Sequence, residues 1–347
     1  MRHIYIILYL FLMISSLATY SFAKERTVIV YNWSEYIPAQ VLRQFQKETG
    51  IRVIYSTYES NEAMFAKLKI VKGVGYDVIV PSTYFVALLR ENNLLQKIDT
   101  TKLSNFKNLN PALLNLPFDP NNEYTIPYMW GSDVLLMNST RVDTKKITSW
   151  NDLLLPEFKR HIFLSDDLRD TFGIALMACG LSPNTRNLQE IEKAGTWLRE
   201  LMPSVYIFDI TAQKQVFITE EVRIGTAWNG DAFIAIQENP NLVAIYPKEG
   251  VPMWVDSFAI PIGAQNTDEA YEFINFMLRP EIAAQCVQEY SYSTPNQKAL
   301  EYLPKEFVES PLINPPLDVI KKMKTLDSVG SAIKEYEHIW ERLKVER

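Results

Sequence analysis

From Thr27 onward the chain alternates short β-branched apolar runs with stretches of helical periodicity, and this alternation restricts its architecture more than any other feature. Thr27-Val-Ile-Val-Tyr31 reads as a strand, and Pro38 then opens a stretch whose Val41, Leu42 and Phe45 fall on one helical face before Gly50. Ile51 to Thr57 reads as a second strand, Glu62 to Val71 as a second helix, and Asp77-Val-Ile-Val-Pro81 as a third strand with a loop directly behind it. Strands that alternate with helices build parallel or mixed sheets, so the fold class is α/β. The pattern resumes further on. Leu188, Ile191, Leu198 and Leu201 mark a helix, and Val222 to Ala227 a strand that ends at Trp228-Asn-Gly230. Asn266 and Glu269 have capping-box spacing ahead of Ala270, Phe273, Ile274 and Met277, and Pro280 starts a further helix toward Tyr290. No flexible linker separates the two α/β units, which implies two domains joined by more than one short, ordered crossing.

The N-terminus carries a compartment signal. Arg2 and His3 precede an unbroken apolar run from Ile4 to Ile14, and Ser21-Phe-Ala23 puts small residues at the positions a signal peptidase reads. The run is shorter than the ~20 residues of a membrane span, and no cysteine lies near it to carry a lipid anchor. Export with cleavage after Ala23 and a free existence in the periplasm are therefore expected. Lys and Arg number 35 against 41 acidic residues, a formal net charge of −6, which argues against a nucleic-acid surface and suits a cationic ligand. Cys179 and Cys286 are too few for a disulfide scaffold and are expected to be free thiols.

Catalytic machinery has no signature here. His161 and His338 stand in unrelated contexts without ligand-spaced partners, so neither a zinc site nor a histidine-based triad is indicated. No nucleophile elbow, P-loop or dinucleotide fingerprint occurs, and Cys179 sits in the apolar run Ala175-Leu-Met-Ala-Cys179. No cofactor and no metal is expected.

What the chain does have is tryptophan, tyrosine and carboxylate at the predicted strand ends. Trp33-Ser34-Glu35-Tyr36 follows the first strand, Ser82-Thr83-Tyr84 the third, and Trp228 ends a later one. Ligands of open α/β sheets sit beyond these carboxyl ends, and two such domains face to face would line one cleft. Alkyl ammonium ions need this combination. Each amine costs several kcal/mol to desolvate unless a carboxylate meets it, and ring faces attract the cation by about 0.5 to 2 kcal/mol each. In Asp166-Asp-Leu-Arg-Asp170, Asp167 and Asp170 stand at i and i+3 of a helix start, where the positive helix N-terminus alone accounts for them. Met253-Trp-Val-Asp-Ser257 is more pointed, because alternation puts Trp254 and Asp256 on one side of an extended segment.

Tyr31-Asn-Trp-Ser-Glu-Tyr36, Tyr55-Ser-Thr-Tyr-Glu-Ser-Asn61, Tyr76-Asp-Val-Ile-Val-Pro-Ser-Thr-Tyr84, Pro117-Phe-Asp-Pro-Asn-Asn122, Ile126-Pro-Tyr-Met-Trp-Gly131 and Trp228-Asn-Gly230 together resemble the periplasmic spermidine/putrescine-binding proteins of the PotD type. Pro247-Lys-Glu-Gly250, Asp256-Ser257 and Thr294-Pro-Asn296 continue the likeness, which covers essentially the whole chain beyond Ala23. It implies a type II clamshell with mixed sheets and hinge crossovers: residues 24–132 plus 256–305 form one domain, and 133–255 plus 306–347 the other. It also implies that a polyamine is captured by domain closure and delivered to the permease subunits of an ABC transporter, with the protein acting as a monomer. The implied wall residues are Trp33, Ser34, Glu35, Tyr36, Ser82, Tyr84 and Tyr292 from the first domain, with Asp167, Asp170, Trp228, Trp254 and Asp256 from the second domain and the crossing. Trp254 and the tyrosines would stack on the methylene chain, Asp167 and Asp170 would hold one terminal amine, Asp256 the secondary amine, and Glu35 with its neighbours the far end. The likeness also puts Cys179 and Cys286 in different domains, so a bridge between them would staple the moving halves. Four positions depart from the family pattern: Asp170 in place of Glu, Leu326 in place of a ligand-contacting Gln, Ile210 at a polar position, and Arg160 in place of a turn glycine. A binding protein for another solute, a polyamine sensor and a periplasmic hydrolase are the competing readings.

Overall fold

The computed structural model describes residues 25–346, so the apolar run and the cleavage point expected after Ala23 lie outside the described residues. Within them ten strands form one curled sheet: β1 (Thr27–Trp33), β2 (Arg52–Tyr58), β3 (Val78–Ile79), β4 (Thr125–Asn138), β5 (Ile162–Ser165), β6 (Val205–Asp209), β7 (Ile224–Trp228), β8 (Leu242–Ile245), β9 (Pro252–Ala259) and β10 (Lys324–Thr325). Their spatial order is β2-β1-β3-β9-β4-β7-β5-β6, with β10 beside β9 and β8 beside β4. β1 pairs in parallel with β2 and β3, and β5 with β6 and β7, whereas β4 runs antiparallel to β7, β8 and β9. The sheet is thus two parallel α/β halves stitched by long antiparallel strands, as the alternation of strand and helix requires.

Local chemistry explains most of the elements. The helix Ala39–Thr49 starts after Pro38 and ends at Gly50, whose φ of 71° is the left-handed conformation that a residue without Cβ adopts at no steric cost. Its Phe45 is buried with ring centroids 5.2 Å from both Phe273 and Phe276 of the helix Thr267–Met277. Two expectations are corrected. The third strand is only two residues long, because the Val80 carbonyl accepts side-chain bonds from Trp33 Nε1 at 3.0 Å and from the Tyr58 hydroxyl instead of a ladder bond. The capping box at Asn266 does not form, since the Asn266 side chain makes no cap bond. Its amide donates instead to Asp77, which also accepts from the backbone N–H groups of Ile29, Gln265 and Asn266. Glu269, the other half of the expected box, pairs with Arg26.

Arg160 has φ of 59°, so the position that departs from a turn glycine does sit in left-handed backbone, at a cost of about 1 kcal/mol for a residue with a Cβ. Both cysteines are free: Cys179 is half-buried at the end of the helix Leu168–Ala178, and Cys286 is buried inside Pro280–Tyr290. Burial pushes the Cys286 thiol up to about 12, so it carries almost no thiolate at neutral pH. Denatured, unreduced protein is therefore expected to titrate two thiols with a chromogenic disulfide, and native protein to hide Cys286. A denatured sample showing no thiol would refute the pairing state.

Candidate functional site

Asp256 anchors the site. It lies on β9 opposite Met129 of β4, is 5% exposed, and accepts hydrogen bonds from the Tyr36 hydroxyl at 2.6 Å and from the Ser82 hydroxyl, one on each carboxylate oxygen. Those donors arrive from the loops after β1 and β3, and Tyr36 is itself fixed because its carbonyl accepts from the Tyr128 hydroxyl at 2.6 Å. Burial raises the Asp256 carboxyl to about 6, the two hydroxyls pulling the other way. Each oxygen keeps lone pairs free, so the group can still accept from a cationic donor.

Rings surround this carboxylate. Trp254, two residues back on the same side of β9, meets Tyr292 edge-on with centroids 5.3 Å apart, and Tyr292 lies 5.9 Å from Tyr36. Trp254 is 8% exposed, and its Nε1 has no partner among the described residues. Trp33 leans on Tyr58 at 4.8 Å, its indole N–H already donated to Val80.

A second acidic group gathers where the helix Leu168–Ala178 begins. Asp167 is the N-cap, with one oxygen accepting from the backbone N–H groups of Arg169 and Asp170, each at 2.9 Å. Asp167 thus caps its own helix. Asp170 is buried and accepts from Trp228 Nε1 at 2.8 Å. Burial raises both carboxyls, and for Asp170 the neighbouring Asp167 raises it further. Tyr84 faces this group from the other half of the sheet, its ring 5.8 Å from the Arg169 guanidinium, and its hydroxyl is pushed up by burial and by Asp167.

The remaining expected residues are engaged differently. The Ser34 hydroxyl donates to Glu59 at 2.6 Å, and Glu35 is exposed at φ 49° with its carboxylate 3.6 Å from Lys214 Nζ. Leu326 is fully buried, its backbone N–H bonded to the Met253 carbonyl at 3.0 Å. The twelve expected residues therefore fall into one group around Asp256, a second around Asp170, and an exposed end at Glu35. Two further carboxylates belong to the same region and are absent from the expected set. Asp231, in the first turn of Asn229–Glu238, is raised to about 6 by burial, with Lys214 lowering it and Glu35 raising it. Asp133 of β4 is fully buried, and Asp170 and Asp167 are the charges that act on it. Its only signal in the sequence is a carboxylate fused to the apolar run Val134-Leu-Leu-Met137.

Among the described residues no group of three or more His, Cys, Asp or Glu has the arrangement to hold a metal ion, and no helix is long and apolar enough to cross a membrane. Residues 40–315 match the family model described as bacterial extracellular solute-binding protein. The spermidine/putrescine-binding periplasmic protein of Escherichia coli K12 is 46% identical over 323 residues, covering 93% of each chain. The spermidine/putrescine-binding periplasmic protein 1 of Haemophilus influenzae is 41% identical, covering 93% of this chain and 90% of the relative. Among solved structures, the spermidine/putrescine ABC transporter substrate-binding protein PotD of Streptococcus pneumoniae superposes with a TM-score of 0.82 at 35% identity, covering 92% of this chain and 99% of that one.

Proposed function

The chain belongs to the bacterial extracellular solute-binding proteins, and from that membership we propose that it is a periplasmic receptor that captures spermidine or putrescine and presents it to the permease of an ABC transporter. The observation that carries this reading is Asp256: a buried carboxylate oriented by two hydroxyls and walled by Trp254, Tyr36 and Tyr292. Such a carboxylate is costly when no cation meets it, and a well-placed ammonium offsets that cost. The rings beside it suit the methylenes that separate one amine from the next. Asp167 and Asp170 supply charge for a second amine on the same ligand.

In this reading residues 24–132 plus 256–305 form one lobe, 133–255 plus 306–347 the other, and β4 and β9 are the crossings that bend. A diamine touching both lobes makes contacts in the closed form that the open form cannot offer, and this difference is what shifts the population. Micromolar affinity needs only about −8 kcal/mol, within reach of a few carboxylate pairs and ring contacts after the cost of closure. The chain binds and releases its ligand unchanged, as a monomer and without catalysis.

Isothermal titration of the purified chain beyond Ala23 with putrescine, spermidine and spermine tests this directly. Saturable binding to at least one of them at about micromolar Kd or tighter is expected, with a fall in radius of gyration in solution scattering. Absence of both heat and compaction for all three overturns the proposal.

A further inference from the structure

Asp133 stands directly opposite Trp228 in the β4–β7 register, and cross-strand partners project from the same face of a sheet. Its carboxylate therefore points to the side taken by the Trp228 indole, which reaches Asp170 at 2.8 Å. Two residues earlier on that side of β4, the space beside Gly131 is filled by the Trp254 indole and the Asn229 amide oxygen. Asp133 is 0% exposed, and neither of its oxygens meets a donor among the described residues. Both charges that act on it, Asp170 and Asp167, are negative, and together with burial they hold its carboxyl well above the usual range. The one cation of that turn, Arg169, lowers Asp167 and Asp170 but makes no hydrogen bond to Asp133: its Nη2 donates to Asn184 Oδ1 at 2.9 Å and to the Asp327 carbonyl at 3.1 Å, and its guanidinium lies 5.1 Å from the Tyr336 ring.

A buried carboxylate with no donor is among the most costly arrangements a core can hold, and nothing in the packing of β4 calls for one between Ser132 and Val134. We infer that Asp133 completes, with Asp167 and Asp170, a three-carboxylate subsite for a primary ammonium end of the ligand. A primary ammonium offers three N–H donors on one small centre, one for each carboxylate. A secondary amine offers two, so this pole of the cleft selects a chain end over a chain middle. The inference rests on the polyamine reading above and adds to it the residue that decides which nitrogen is held there.

The test compares the parent with Asp133→Asn and Asp133→Leu by isothermal titration with putrescine and spermidine, alongside melting of each empty protein. Both variants are expected to lose about tenfold or more in affinity, the amount that about 1.4 kcal/mol represents, while melting at or above the parent temperature because a repelled buried carboxyl has gone. Binding by either variant within about twofold of the parent overturns the inference and leaves Asp133 a buried neutral acid. So does a loss of affinity accompanied in both variants by a melting point lowered by about ten degrees or more, which marks a structural residue. A parent that binds neither amine overturns the polyamine reading and this inference together, a result distinguishable from a binding parent with indifferent variants.

Discussion

Replacing Asp256 by asparagine is expected to weaken polyamine binding by about two orders of magnitude or more, the 3–5 kcal/mol that follows when one partner of a buried charge pair is removed, while the empty protein melts no lower than the parent at pH 8. The two halves of that result have one cause. Asparagine keeps the size of Asp256 and can still bond the Tyr36 and Ser82 hydroxyls, which rotate to donate or accept. What it removes is the charge, and in the empty protein that charge is unfavourable. The carboxyl titrates at about 6 when folded against an ordinary value of 3.8. A carboxyl whose folded value is raised lowers stability as pH rises through the window from about 4 to about 6, and the full penalty of ~3 kcal/mol applies above it. Binding reverses the balance, since an ammonium stabilises the charged form. Parent affinity should therefore fall about tenfold per pH unit below 6, as the Asp256 proton must leave before the cation enters. The Asp256→Asn variant should lose that one-proton dependence. A variant that binds like the parent, or an affinity flat from pH 5 to pH 8, would remove Asp256 from the site.

The fold was legible because its signals are local. The helix Leu188–Leu201 could be placed from Ile191, Leu198 and Leu201, which are buried, even though Leu188 at the edge of the same pattern is 58% exposed. Periodicity reports a face and is indifferent to one misplaced member. The errors came where a partner distant in sequence decided the outcome. Asn266 has the right spacing to cap its own helix, yet Asp77, 189 residues away, captures its amide. Val78–Ile79 reads as the core of a longer strand until the Val80 carbonyl is seen to bond the side chains of Trp33 and Tyr58.

The candidate site divides in the same way. Trp254 and Asp256 could be assigned to one side of a strand by alternation alone, and Asp167 and Asp170 to one helix start. No rule of spacing brings the Ser82 hydroxyl to Asp256 across 174 residues, and only the likeness to a known family joined them before the structure did. Asp133 escaped both routes. Next to Val134-Leu-Leu-Met137 it reads as the polar end of a buried strand, and its isolation becomes visible only when the surroundings of each oxygen are known. Glu35, the carboxylate expected at the far end of the ligand, is exposed and faces Lys214.

Gly131 ties the crossing to the site, and Gly131→Ala is expected to destabilise the protein and weaken binding at once. Gly131 pairs with Trp254 across β4 and β9, and a methyl group at this position would overlap both Trp254 Cζ2 and Asn229 Oδ1. Neither neighbour can yield freely. The Trp254 indole is packed against Tyr292, and the Asn229 side chain accepts from the Ser132 N–H at 3.1 Å while donating to the Leu312 carbonyl at 2.9 Å. Overpacking of this kind costs about 1–3 kcal/mol, read as a fall in melting temperature of about 1–5 °C for a chain of this size. Because the displaced ring is the one proposed to lie on the ligand, affinity should drop by about tenfold as well. A double-mutant cycle separates the two causes. Trp254→Phe removes the atoms that the methyl group strikes, so in that background Gly131→Ala should cost markedly less stability than alone, a coupling of about 1 kcal/mol or more. Equal costs in both backgrounds would show that the strain falls on Asn229 and the backbone, and that Gly131 serves the crossing without positioning the ring.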